Sequence, residues 1–121
     1  MSNILFYSVF DKDSGAGHLK RCLVLADELK SRGHLISFVT DWETPGYNLV
    51  RNLYRSWGLQ GNKDYALQNF INGDYSKFDL AIIDIAHGPS EEMIDLFKSR
   101  IKKLVVISAA GYNYQSVGDE R

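Results

Sequence analysis

Apolar residues in this chain gather in short blocks separated by polar, glycine-containing stretches, and the period inside the blocks changes along the sequence. Ile4 to Phe10 (ILFYSVF) is a run of aromatic and branched residues followed by the polar stretch Asp11 to Gly17, which predicts a strand running into a loop. From His18 to Arg32 the residues Leu19, Cys22, Leu23, Ala26 and Leu29 recur at helical spacing. Lys20, Asp27, Lys30 and Ser31 fall on or near the other side, and Gly33 supplies the stop. Leu35 to Thr40 predicts a second strand. Thr44 and Pro45 suit the cap and first position of a helix whose buried stripe would be Leu49, Val50, Leu53, Tyr54 and Trp57, closed by Gly58.

Leu59 to Lys63 is expected to hold a very short strand, and Asp64 to Asn72 a brief helix presenting Leu67, Phe70 and Ile71 before Gly73 ends it. Phe78 to Ile85 and Leu104 to Ser108 are near-continuous apolar runs, the pattern of strands covered on both faces. Between them, Pro89, Ser90, Glu91 and Glu92 start a helix with acids in its first turn, and Met93, Ile94 and Phe97 bury it. Alternating strands and helices predict an α/β fold: one Rossmann-like open parallel sheet with helices on both faces, formed by residues 1–121 as a single domain. A polar tail from about residue 111 carries no recognisable closing element.

Composition narrows the choice of partners. The 121 residues are 45% hydrophobic and 24% charged, as in one ordinary globular domain. Lys and Arg number 14 against 15 Asp and Glu, and a net charge of −1 gives no reason to expect a nucleic-acid partner. Cys22 stands alone, which excludes an internal disulfide and a cysteine-rich zinc site and fits the reducing cytoplasm. No apolar run approaches the roughly 20 residues of a membrane span, and no export signal is visible.

In an open parallel sheet, ligands bind beyond the carboxyl ends of the strands, where strand order reverses. With the first strand central, one side of that crevice would carry Asp11, Asp13, Ser14, Gly15, Gly17 and His18. The other would carry Asp84, His87 and Gly88. Gly15-Ala16-Gly17-His18 lets the backbone turn tightly as a helix begins, which suits a ligand cradle and equally a tight turn without a ligand. It is neither a dinucleotide fingerprint, since Lys20 stands where the third glycine would, nor a P-loop, since no Gly-Lys-Ser/Thr follows.

His18 at a helix start is biased toward the neutral imidazole that a general base must be, and it could equally cap or pack the turn. Arg21, one turn later, could reach an anionic ligand group or pair with a carboxylate at a sheet end. Asp84 could accept hydrogen bonds from a sugar or hold a loop, and His87 is a loop residue near it. Cys22 lies on the apolar stripe and is expected in the core. A metal site from His18, Asp84 and His87 has no diagnostic spacing, and no metal or cofactor is expected.

The run Gly15-x-Gly17-His18-x-x-Arg21-Cys22-Leu23-x-Leu25-Ala26-x-x-Leu29, followed by Arg32-Gly33-His34 and the strand Ile36 to Thr40, closely resembles the start of the nucleotide-sugar hydrolase of pseudaminic acid biosynthesis. It is also similar to the spore coat polysaccharide protein SpsG family and, more distantly, to the amino-terminal half of GT-B glycosyltransferases. The resemblance covers roughly the first 40 residues and is architectural beyond them. It implies that His18 activates water, or receives a proton from an acceptor hydroxyl, at the anomeric carbon of a UDP-sugar. Gly15 and Gly17 would shape the loop, and Arg21 would complete the motif. The family's Asp-His-Tyr after the later strand is here Asp84-Ile85-Ala86-His87, and its paired aspartates after the last strand are replaced by Ser108-Ala109-Ala110.

The family also has a second Rossmann-like, nucleotide-holding domain, so the resemblance implies a nucleotide-binding partner domain or subunit. The expectation is therefore the acceptor- or water-side domain of a nucleotide-sugar hydrolase or glycosyltransferase of polysaccharide biosynthesis. Its partners would be a nucleotide-activated sugar or a sugar acceptor. The alternatives are a non-catalytic sugar-binding or protein-interaction domain of the same fold, and a small enzyme whose site is assembled across a homodimer.

Overall fold

The computed structural model describes residues 2–8, 17–42, 44–73, 77–85, 90–107 and 114–117. The elements follow in the order β1 (Asn3–Ser8), α1 (Gly17–Ser31), β2 (Leu35–Asp41), α2 (Pro45–Arg51), β3 (Arg55–Leu59), α3 (Lys63–Ile71), β4 (Leu80–Asp84), α4 (Glu91–Arg100), β5 (Lys103–Ile107) and β6 (Tyr114–Val117). They build one open sheet in the order β3-β2-β1-β4-β5-β6. Strands β1 to β5 are parallel, and β6 adds an antiparallel edge to β5. This is the Rossmann-like α/β arrangement that the alternating pattern predicts.

Strand β1 lies inside the sheet because both of its faces are apolar. Ile4 and Phe6 join Leu19, Cys22 and Ala26 of α1 and Val50 of α2 in one core cluster. Leu5 and Tyr7 join Leu67, Phe70 and Ile71 of α3 and Phe97 of α4 in the other. Helices thus cover both faces, α1 and α2 on one and α3 and α4 on the other. Register is fixed by matched side chains across strands: Phe6 is paired with Phe38, and their rings stack at 5.0 Å and 14°.

The structure corrects three expectations. The helix opened by Pro45 ends at Arg51 and does not run to Gly58; the Asn52 N–H returns to the Leu49 carbonyl and the Leu53 N–H to that of Val50, and the chain then enters β3. Tyr54 turns inward to pack on the Phe38 ring at 5.4 Å, while its hydroxyl donates to Asp27 of α1. Trp57 goes to the opposite face against Phe70 and Phe78. Five ladder positions against β2, from Ser37↔Arg55 to Asp41↔Leu59, outweigh the continuation of a helical stripe.

The second correction follows from the first, because the very short strand expected from Leu59 to Lys63 is this earlier β3. Asn62 next to it caps α3, its side chain accepting from the Tyr65 N–H. Third, the polar tail does contain a closing element, since Tyr114–Val117 pairs with β5 from Leu104↔Val117 to Ile107↔Tyr114. Elsewhere the expected elements form. Helix α4 begins as the sequence predicts, with the Ser90 hydroxyl accepting from the Met93 N–H and Glu91 and Glu92 in its first turn. Among the described residues, no helix is long and apolar enough to cross a membrane.

Candidate functional site

Strand order reverses between β1 and β4: the chain builds outward from β1 through β2 to β3, then returns to β1's other side with β4. Their carboxyl ends are level, with Ser8 paired to Asp84. In a parallel pair, partners share a face, and alternation along β1 and β4 puts Ser8 and Asp84 on the side of Phe6 and Ile82, beneath α1. Thr40 follows Val39, the partner of Tyr7, and so extends the same row onto β2.

The last row of the sheet is therefore polar where the rows below it are apolar. Thr40, Ser8 and Asp84 lie side by side at the switch point, and all are fully buried. Thr40 Oγ1 makes no hydrogen bond among the described residues, and Ser8 Oγ faces the Cys22 thiol. A buried hydroxyl without a partner costs about 1–3 kcal/mol, so the Thr40 hydroxyl is a polar group at a position where the rows below carry apolar side chains. Sequence reading missed both Thr40 and Ser8. The signal was available in the alternation, because Ser8 and Thr40 each fall two residues beyond a core phenylalanine, Phe6 and Phe38.

Asp84 is answered from α1. Arg21 Nε donates to Asp84 Oδ2 at 2.6 Å and Nη2 donates to Oδ1 at 2.7 Å, a two-point clamp between a half-exposed guanidinium and a buried carboxylate. The Cys22 thiol donates to Oδ2 at 3.7 Å. Burial first, and the Asp84 charge next to it, push the Cys22 thiol from 9.0 up to about 12, with the Ser8 hydroxyl and Arg21 acting the other way. Cys22 is thus a neutral core residue, as its place on the apolar stripe predicts.

The structure therefore brings Arg21 and Asp84 together, but on each other. Of the two roles open to Arg21, pairing with a sheet-end carboxylate is the one it fills. A cation at Asp84 would have to sit against the Arg21 guanidinium, which disfavours the metal arrangement of His18, Asp84 and His87. Among the described residues, no group of three or more His, Cys, Asp or Glu could hold a metal ion. Gly17 and His18 are the first two residues of α1, one turn before Arg21, so the clamp ties the helix start to the end of β4. The His18 side chain lies outside the described residues, as do Asp11, Asp13, Ser14, Gly15, His87 and Gly88.

The carboxyl end of the sheet continues past Thr40 to an aromatic pair. Trp42 directly follows β2, its N–H donates to the Leu59 carbonyl at 2.9 Å, and its ring lies 5.1 Å from that of Tyr47 at 42°. The Arg51 guanidinium stands 5.8 Å from the Tyr47 ring. Comparison with known proteins gives no match: no family model matches the chain, and no curated protein or solved structure matches it significantly.

Proposed function

We propose that the chain is the acceptor- or water-side domain of a GT-B-like nucleotide-sugar hydrolase or glycosyltransferase, with His18 as its general base. The observation that supports this reading is that α1 opens with Gly17 and His18, one turn before the Arg21 that reaches Asp84 at the β1/β4 switch point. Arg21 clamps that helix start to β4, and the Thr40 hydroxyl, in the same row as Asp84, makes no hydrogen bond among the described residues. Backbone N–H groups at a helix start are also left without helical partners and can serve polar ligand atoms.

In the proposed step, His18 removes a proton from water or an acceptor hydroxyl while that oxygen bonds to the anomeric carbon. The sugar–phosphate bond breaks, and the nucleoside diphosphate leaves with the electron pair. Arg21 and Asp84 enter as positioning residues that hold the start of α1. Gly15 and Gly17 let the backbone approach the substrate, His87 is a further substrate contact from the β4 side, and the nucleotide is held by a partner domain or subunit.

The test is release of UDP from UDP-sugars by the chain together with a nucleotide-binding half. His18→Ala should lower turnover about 100-fold or more, while far-ultraviolet circular dichroism stays unchanged. Equal turnover by the variant would overturn the assignment of the base. The observation favouring a non-catalytic sugar-binding domain instead is that Arg21 and Asp84 are engaged with each other, which leaves His18 as the chemical centre. No turnover with any partner half, alongside retained sugar binding, would establish that second reading.

A further inference from the structure

We propose that the accessible face of Trp42 is a stacking subsite for a pyranose ring, extending the candidate site from the switch point along the carboxyl edge of the sheet toward β3. The inference rests on the sugar-directed reading above and names the residue that would hold the sugar's apolar face.

Trp42 is 45% exposed, an unusual position for the largest apolar side chain, yet it is not loosely held. Its backbone is tied to the end of β3 through Leu59, and its ring is braced by Tyr47. Gly58 makes the close approach possible, since a Cβ there would stand 3.0 Å from Trp42 Cε3, 3.1 Å from Trp42 Cα and 3.1 Å from Tyr47 Cε1. The sequence therefore forgoes a side chain in the middle of a strand to seat an indole that remains half open to solvent. A fixed aromatic plane has already lost its rotamer freedom and binds without that cost.

Size and chemistry select the occupant. The exposed part of one indole is roughly 100 Å², far below the approximately 800 Å² per partner of a stable protein interface. It matches one face of a six-membered sugar ring. That face presents polarised C–H groups, which the negative face of the indole attracts, while the hydroxyls at the ring's rim need polar partners. Arg51, next to Tyr47, provides donors beside the platform. Trp42 lies two residues beyond Thr40 along the chain, at the same carboxyl end of the sheet as the polar row.

The experiment uses the full chain carrying Trp57→Phe, so that Trp42 is its one tryptophan and reports by fluorescence. N-acetylglucosamine, methyl glucopyranoside and UDP are titrated separately. At least one of the two pyranosides should change Trp42 emission saturably, and UDP should not. By saturation-transfer NMR on the otherwise unchanged chain, Trp42→Ala should weaken pyranoside binding about tenfold or more, while Trp42→Phe retains most of it. Leu49→Ala with Leu53→Ala, which removes exposed apolar side chains of the α2 segment, should leave binding unchanged.

The proposal is overturned if neither pyranoside binds, if Trp42→Ala binds like the unaltered chain, if UDP alone gives the same emission change, or if the Leu49 and Leu53 pair matters equally. His18→Ala separates the two claims. Pyranoside binding that survives it, with turnover also intact, would sink the catalytic reading and leave the subsite standing.

Discussion

Arg21 and Asp84, 63 positions apart in sequence, hold each other through two hydrogen bonds of 2.6 and 2.7 Å, with the carboxylate fully buried and the guanidinium partly in solvent. The asymmetry of exposure dictates an asymmetry of effect. Arg21→Ala leaves a carboxylate inside the protein without its cation, whereas Asp84→Asn leaves a guanidinium that water can reach. Arg21→Ala is expected to lower the unfolding free energy by about 2–3 kcal/mol, discounted from the fully buried case for the exposure of Arg21, and Asp84→Asn by less. Urea unfolding with unchanged slope would measure both, and the reverse order would show that Arg21 is not what satisfies Asp84.

Cys22 is expected to be inert in the folded protein. With its thiol pushed up to about 12, the nucleophilic thiolate is scarce at pH 8, and the side chain is fully buried. Ellman's reagent should label it only at the rate at which the chain opens, and label it promptly in urea. Rapid labelling of the native chain would contradict the burial.

Two raised pKa values, those of Cys22 and Tyr54, set an alkaline limit. Cys22 is raised from 9.0 to about 12, and Tyr54 from 10.0 to about 12 by burial and by its bond to Asp27. Between those values the unfolded chain has lost protons that the folded chain keeps. Stability is therefore full below about pH 9 and falls as pH rises toward 12, by at most about 1.4 kcal/mol per pH unit for a group that titrates only in the unfolded state. Denaturation midpoints followed from pH 8 to 11 should decline, and Cys22→Ala should flatten the first part of that decline.

Thr40→Val removes a buried hydroxyl that makes no hydrogen bond among the described residues. Most core substitutions destabilise, but this one should stabilise by about 0.5–1 kcal/mol. That corresponds to a rise of about 2–5 °C in Tm for a domain of this size, measurable by calorimetry. A drop would mean that the hydroxyl is satisfied after all.

Gly58→Ala places a methyl group against the Trp42 backbone and the Tyr47 ring. The expected cost is about 1–3 kcal/mol, accompanied by a change in tryptophan emission as the indole is displaced. An unchanged spectrum would show that the platform yields freely.

The sequence carries the fold in its long periodic segments. Helix α1 and strands β1, β2, β4 and β5 follow directly from where the apolar residues fall. The segment 52–59 does not, because Leu53, Tyr54 and Trp57 fit a helical stripe as well as Trp57 and Leu59 fit an alternating strand. What decides between them is the edge of β2, a partner outside the segment. β6 is hidden for a similar reason, since a short polar strand gains its order from β5 and not from its own composition. At the site, Arg21 and Asp84 are both identifiable as candidates from their positions, while their engagement with each other depends on the β1–β4 register. Ser8 and Thr40 read as ordinary strand-end residues until the sheet places them in one row.

The central position of β1 also governs the order in which the chain can assemble. Its pairing with β2 closes early, through neighbours such as Ser2 and His34, only 32 positions apart. Its pairing with β4 has to wait for residues such as Asp79, 76 positions beyond Asn3. Until then this central strand, with Ile4, Leu5, Phe6 and Tyr7 destined for the core, presents an uncovered backbone edge. Slow, concentration-sensitive refolding is built into this topology, and the late arrival of β4 both seals the sheet and delivers Asp84 to Arg21.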